Sequence, residues 1–251
     1  MSAARPELEF PFLSWLGAAD PRLAGWSWRL IWIPILLVCA DLALIGLDVS
    51  RISFGFPVGW QFRVANDRSY GELLQYCKEL GIGLAFLLLC WRRQSGIYAV
   101  WSALFLLFLA DDALKLHEAG GSIFSHSFGV DPRWGLRAQD LGELAVTAPA
   151  FAAFLVTFVW FYRMADGRAR SLSRAMLVLL AGLVFFGVFG DMLHSWMSSH
   201  RELFAVFEDG GEMLAMSALA TLVYFELVGA PWRRLVRVDA HSSLKHPGDS
   251  H

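Results

Sequence analysis

Six long apolar runs alternate with shorter polar segments along the chain. A transmembrane helix needs about 20 mainly apolar residues, and each run is close to that length or longer. The runs cover residues 28–47, 70–91, 97–116, 137–162, 175–196 and 210–229. The pattern predicts an all-α protein, a polytopic membrane helical bundle with about six transmembrane helices.

The runs divide the chain into three parts. These are an aromatic-rich N-terminal segment at the membrane interface (residues 1–27), a six-helix transmembrane domain (28–230) and a polar cytoplasmic tail (231–251). Within the domain, two segments rich in glycine predict loops on the outer side. They are residues 48–69, between runs one and two, and residues 119–135, between runs three and four.

The arginines predict how the bundle is oriented. The turns after runs two, four and six carry Arg92, Arg93, Arg163, Arg168, Arg170, Arg174, Arg233, Arg234 and Arg237. Basic residues near the ends of spans favour the cytoplasmic side of the membrane. Six spans with these turns inside would place both termini in the cytoplasm.

Composition narrows the classes of function. The chain is 56% hydrophobic and 18% charged, and its net charge is -2. It contains no basic stripe of the kind that nucleic-acid binding requires. Cys39, Cys77 and Cys90 form no CxxC pair, so a disulfide framework is not expected.

Carboxylates of successive runs fall at the end opposite the arginines. Neighbouring helices run in opposite directions. The acids of two successive runs therefore lie at the same end of the bundle only if one run carries them near its start and the next carries them near its end. These acids are Glu72, Glu79, Asp111, Asp112, Glu118, Asp140, Glu143, Asp191, Glu208, Asp209 and Glu212. Ionisable residues inside a span are costly and mark a candidate functional site.

Carboxylates that converge in a low dielectric must be protonated, paired with cations or bound to metal. Asp191 and His194 share a helix face at spacing i,i+3, and a mixed carboxylate–imidazole set suits zinc, iron or manganese. We therefore expect one divalent metal ion, since the second Asp-x-x-His of a di-iron bundle is missing. The predicted ligands are Glu72, Asp111, Asp191, His194 and Glu212.

Run three predicts the acid/base group of this site. Either His117 or Glu118 would fill that role. Asp111, Lys115 and Glu118 line up on one helix face, whereas His117 points away, so the helix either serves two neighbours or unwinds near His117.

Two structural readings compete with the metal site. An ordinary i,i+4 ion pair would explain Asp111 and Lys115. Capping at the start of run six would explain Glu208 and Asp209.

Two stretches carry a resemblance. DDALKLHE (residues 111–118) and EDGGEM (208–213) resemble the D-[DE]-x4-H-E and E-[DE]-x2-E-M helix-end motifs of uncharacterised bacterial multi-pass membrane proteins. The resemblance implies a bacterial inner (plasma) membrane protein and carries no activity.

Three functions remain open. The first is a metal-dependent membrane enzyme, a hydrolase or an oxidoreductase, that acts on a lipid or another amphipathic substrate. The second is a proton- or cation-coupled transporter that uses the same carboxylates as a relay. The third is a structural or assembly subunit of a larger membrane complex. Membrane lipid is the expected partner in each case, and the sequence leaves the oligomeric state open.

Overall fold

The computed structural model of the protein describes the backbone of residues 21–132, 137–196 and 201–229, and their side chains except those of 21–29, 188–196 and 201. Over these ranges the chain forms seven α-helices and no strand. They are α1 (Pro21–Phe54), α2 (Tyr70–Arg93), α3 (Gly96–Leu114), α4 (Leu116–Phe128), α5 (Ala138–Met164), α6 (Gly167–Trp196) and α7 (Arg201–Leu227). The prediction of an all-α helical bundle is confirmed.

Five segments of these helices are long and apolar enough to cross a membrane. They are Leu30–Phe54, Tyr70–Arg93, Gly96–Leu114, Ala138–Met164 and Gly167–Gly187. The chain is therefore a multi-pass membrane protein by length and composition. Helix α7 has 27 residues, but its first half carries four carboxylates and it does not meet the same criterion.

Several helices extend beyond the predicted runs. Helix α1 continues seven residues past 47, and α7 begins at Arg201, nine residues before the predicted start of run six. Glu208 and Asp209 consequently lie in the second and third turns of α7, so the prediction that they cap its N-terminus is wrong. The predicted Gly-rich loop 119–135 is also wrong over its first ten residues, which belong to α4.

Helices α4 and α5 lie very close together, and glycines at their contact make this approach possible. A Cβ on Gly142 of α5 would collide with the carbonyl oxygen of Gly121 in α4. Glycine at both positions lets the two backbones touch, as small residues do at membrane helix crossings.

The remaining packing is organised around α7, which contacts α1, α2 and α6, while α3 packs on α2 and α5. Trp101 of α3 is fully buried and contacts the rings of Phe86, Phe105, Phe154 and Phe158. Its indole Nε1 donates to Ser173 Oγ of α6 at 2.9 Å.

The two ends of the bundle differ in chemistry. The arginine end holds the α2–α3 and α5–α6 connections, with Arg92, Arg93 and Arg168 nearby. The acidic end holds α4, the loop 55–69 and the starts of α2, α5 and α7. The apolar core around Trp101 fills the half near the arginine end, so open polar space lies toward the acidic end.

Candidate functional site

A cavity of about 200 Å³ lies near the acidic end, between α2, α3, α7 and the loop that precedes α2. Its lining is Val64, Ala65, Asn66, Asp67, Gly71, Glu72, Gln75, Asp112, Asp209, Glu212 and Met213. Five of these residues are acidic and none is lysine, arginine or histidine. The cavity is therefore an environment that favours positive charge.

Local hydrogen bonds hold Glu72 at the cavity. Ser69 caps α2, and its Oγ accepts from Glu72 N at 3.2 Å. In return, the Glu72 carboxylate accepts from the backbone N–H of Arg68. The pair resembles the capping box, in which the first turn of a helix and its cap bond each other.

Asp48 of α1 anchors the loop that covers the cavity. Its side chain is fully buried; Oδ2 accepts from Val64 N at 2.9 Å and Oδ1 accepts from Arg51 Nε at 2.8 Å. A carboxylate with two such donors can stay buried.

Glu212 reaches the cavity from α7. Its carboxyl lies against Gly187 of α6, where any side chain would collide with it. On α2, the Tyr76 hydroxyl donates to the Asp112 carbonyl at 3.2 Å. The first contact places the Glu212 carboxyl beside α6, and the second ties α2 to the backbone of α3 at Asp112.

Glu79 and Asp112 form a pair of carboxyl groups next to the cavity. The two side chains lie within interaction range of each other, and two carboxylates at such a distance repel each other when both are ionised. Glu79 is only 2% exposed, and its Oε2 has no hydrogen-bond partner. Sequence reasoning placed both residues in the acidic group but did not predict their pairing.

A buried ion pair lies deeper in the bundle. Lys78 Nζ lies 2.9 Å from Asp41 Oδ1 and also donates to Met213 O at 2.9 Å and to Ser217 Oγ at 3.3 Å. The Ser217 hydroxyl donates to the other oxygen of Asp41. This network joins α1, α2 and α7, and sequence reasoning missed it. The available signal was a lysine and an aspartate inside two neighbouring runs.

The sequence predicts that run three either serves two neighbouring helices or unwinds near His117. The structure shows that it unwinds, at the end of α3. Lys115 adopts a left-handed conformation (φ 52°) and separates α3 from α4. Across this break, Asp111 Oδ1 accepts from His117 N at 2.8 Å, and Asp111 Oδ2 lies 3.0 Å from His117 Nδ1. Asp111 therefore binds His117, and it is Asp112 that lines the cavity.

Lys115 does not pair with Asp111, so that prediction is wrong. It contacts Asp67 and, at 3.5 Å, Glu118 Oε1. The hydrogen bond with Asp67 raises the pKa of Lys115 above its ordinary value. Glu118 is half-buried on this surface and does not line the cavity.

Of the five predicted metal ligands, Glu72 and Glu212 share the cavity and Asp111 does not line it. The side chains of Asp191 and His194 lie outside the described residues. Within the described ranges, no three His, Cys, Asp or Glu side chains are grouped closely enough to hold one ion directly.

Comparisons with known proteins give one match. No curated protein and no solved structure matches the chain. One family model matches residues 30–225, which include the buried ion pair and all residues of the cavity. The chain therefore belongs to the family described as Domain of unknown function (DUF8692).

Proposed function

We propose that this protein binds a divalent cation in the acidic cavity and uses it in chemistry on a lipid or another amphipathic substrate. The observation that carries the proposal is the composition of the lining, which has five carboxylates and no basic side chain. At the rim Lys115 offsets Asp67, and Arg63 lies within electrostatic range of Asp209. The three acids that remain, Glu72, Asp112 and Glu212, would repel one another unless protons or a cation were bound.

The volume suits a hydrated ion. A water molecule occupies about 30 Å³ of liquid, so the cavity has room for about six waters. Ions such as Mg²⁺ and Mn²⁺ often keep several waters and use only one or two carboxylates. A hydrated ion thus fits a lining in which no three acids meet at one point.

The lining favours manganese among the expected metals, because its donors are carboxylate and amide oxygens. Zinc or iron would gain from an imidazole, which His194 or His117 would supply. When bound, the ion would polarise water or a substrate oxygen.

His117 is the candidate base. Since an ionised Asp111 only accepts hydrogen bonds, Nδ1 of His117 is the donor and Nε2 is the acceptor in the neutral ring. Asp111 thereby orients the ring, as a carboxylate orients the histidine of a hydrolase or of a metal site. His117 also lies within electrostatic range of Asp112, which lines the cavity.

In the proposed topology α7 is the sixth span. Its 27 residues extend about 40 Å, and the hydrocarbon layer is about 30 Å thick. It packs against α1, α2 and α6, which cross the membrane. The arginine end then faces the cytoplasm with both termini, and the cavity opens outward from a bacterial inner membrane.

Transport is the second candidate, and Glu79 is the observation that favours it. Its buried carboxyl continues the polar path from the cavity toward Lys78 and Asp41. Beyond that pair, the apolar core that includes Ile82 and Phe86 fills the half near the arginine end. Because this core leaves no polar path to the arginine end, the described residues favour a cation site that is entered from the acidic end over a transport path. Cation flux into liposomes would support the transporter instead.

Metal content and metal-dependent stability test the proposal. Protein purified without chelator should contain stoichiometric metal, and Mn²⁺ added to metal-depleted protein should raise Tm. A ligand at 100 times its Kd stabilises by about 2.7 kcal/mol. Glu212→Gln should abolish this stabilisation, while the matched control Glu202→Gln on the exposed surface of the same helix should keep it. Wild-type protein that contains no metal and gains no stability from Mg²⁺, Ca²⁺, Mn²⁺ or Zn²⁺ would refute the proposal.

A further inference from the structure

A second, apolar recess lies on the opposite side of the buried ion pair from the acidic cavity. Its volume is about 260 Å³. Its lining includes Ile33 and Leu37 of α1, Lys78, Gly81 and Ala85 of α2, and Val223 of α7. These residues belong to α1, α2 and α7, and the groove runs from the level of Lys78 toward the arginine end.

The groove exists because of how α1 packs. Helix α1 lies along α7 and contacts α2 at few positions, so a gap remains between α1 and α2. The Asp41–Lys78 pair closes this gap at the inner end of the groove. On the side of the pair that faces the arginine end, Gly81 leaves the groove open, since a Cβ at this position would have no atom within 4 Å.

The hydrocarbon around the groove and the positive charge at its mouth indicate what the groove binds. Both helices that flank the gap are candidate spans, so the groove opens into hydrocarbon. Arg92 lies seven residues after Ala85, which places it about 10 Å further along the same face of α2. It is exposed in the last turn of the helix. An apolar groove with a cation at its mouth matches an acyl chain that carries an anionic head group.

We propose that this groove holds one acyl chain of an anionic phospholipid from the arginine-side leaflet, with the lipid phosphate at Arg92. Its volume lies just below the roughly 300 Å³ of the smallest drug-sized pockets, so it accepts one chain and leaves the rest of the lipid in the bilayer. Such a lipid would brace α1 against α2 where their side chains do not meet. The proposal is independent of the cation cavity.

Lipid analysis of the purified full-length protein tests the groove. By native mass spectrometry, the wild type in mild detergent should retain one anionic phospholipid. Gly81→Leu should fill the groove and lower that occupancy at least fivefold. Gly46→Leu is the matched control, because a Cβ at Gly46 of α1 also meets nothing within 4 Å and Gly46 is outside the groove. Equal retention by wild type and Gly81→Leu, or equal loss by both variants, would overturn the proposal.

Two further arms test the charge and do not depend on Gly81→Leu folding. Arg92→Gln should lose the preference for anionic lipid, whereas Arg93→Gln, about 100° around the helix, should keep it. Phosphatidylglycerol added to delipidated wild type should raise Tm, and phosphatidylcholine should not. Equal stabilisation by both lipids contradicts the assignment. Glu212→Gln should retain the lipid, which separates this result from that of the cation site.

Discussion

Lys78 Nζ lies 2.9 Å from Asp41 Oδ1, and neither side chain is more than 1% exposed. The lysine belongs to α2 and the aspartate to α1, which otherwise contact each other little. Because Met213 O and Ser217 Oγ of α7 accept the other two protons of the ammonium, the charge has no unmet hydrogen bond. One pair of residues thus fixes the level at which three helices meet.

Removing one partner of this pair should be far more damaging than removing both. Lys78→Met leaves the Asp41 charge buried and uncompensated, which typically costs about 3–5 kcal/mol. The double variant Asp41→Leu/Lys78→Met should recover most of that loss. Reversible unfolding in detergent would measure both. As a control, Glu202→Gln breaks an exposed contact with Arg51 at 3.5 Å and should cost less than about 1 kcal/mol.

The sequence predicts the helices well because a helix that crosses a membrane must be apolar over its whole length, and such a stretch is visible as an apolar run. It also predicts that Glu72 and Glu212 come to one end, since antiparallel succession orders them. It does not predict the Asp41–Lys78 pair, whose members are 37 residues apart on helices that contact each other little. The pairing of Asp111 with His117 was equally hidden, because helical spacing assumes a continuous helix and Lys115 interrupts it.

Two buried serines, one on α6 and one on α3, should respond differently to alanine. Ser173 Oγ is the acceptor for the indole N–H of buried Trp101, so Ser173→Ala leaves that donor unsatisfied and should cost about 1–3 kcal/mol. Ser102 donates to Gly83 O at 2.8 Å, and this carbonyl keeps its helical partner when the serine is removed. Ser102→Ala should therefore cost about 1 kcal/mol or less. Equal losses in unfolding experiments would contradict the assignment.

Asp48 should control the order of the loop over the cavity. Asp48→Ala removes the acceptor for Val64 N and leaves Arg51 without its nearest partner, so we expect a loss of about 2 kcal/mol. Hydrogen exchange at the Val64 amide should become at least tenfold faster, while exchange at the Leu219 amide, in the core of α7, should change little. Unchanged protection at Val64 would show that the loop is held by other contacts.

The last prediction separates the two roles of Asp111. Its Oδ1 caps α4 by accepting from His117 N, so Asp111→Ala should lose about 1 kcal/mol of stability. Asp111→Asn keeps that oxygen and should stay within about 0.5 kcal/mol of wild type. However, the amide of asparagine donates toward His117 Nδ1, which moves the ring proton to Nε2.

Histidine ¹⁵N shifts, assigned by comparison with His117→Gln, would report this exchange of tautomers. If His117 is the base of the proposed site, Asp111→Asn should keep the fold and the Mn²⁺-dependent rise in Tm. It should at the same time lose the free Nε2 on which the chemistry depends. An Asn variant as unstable as the Ala variant, or one with an unchanged tautomer, would show that Asp111 does not orient His117 as the structure indicates.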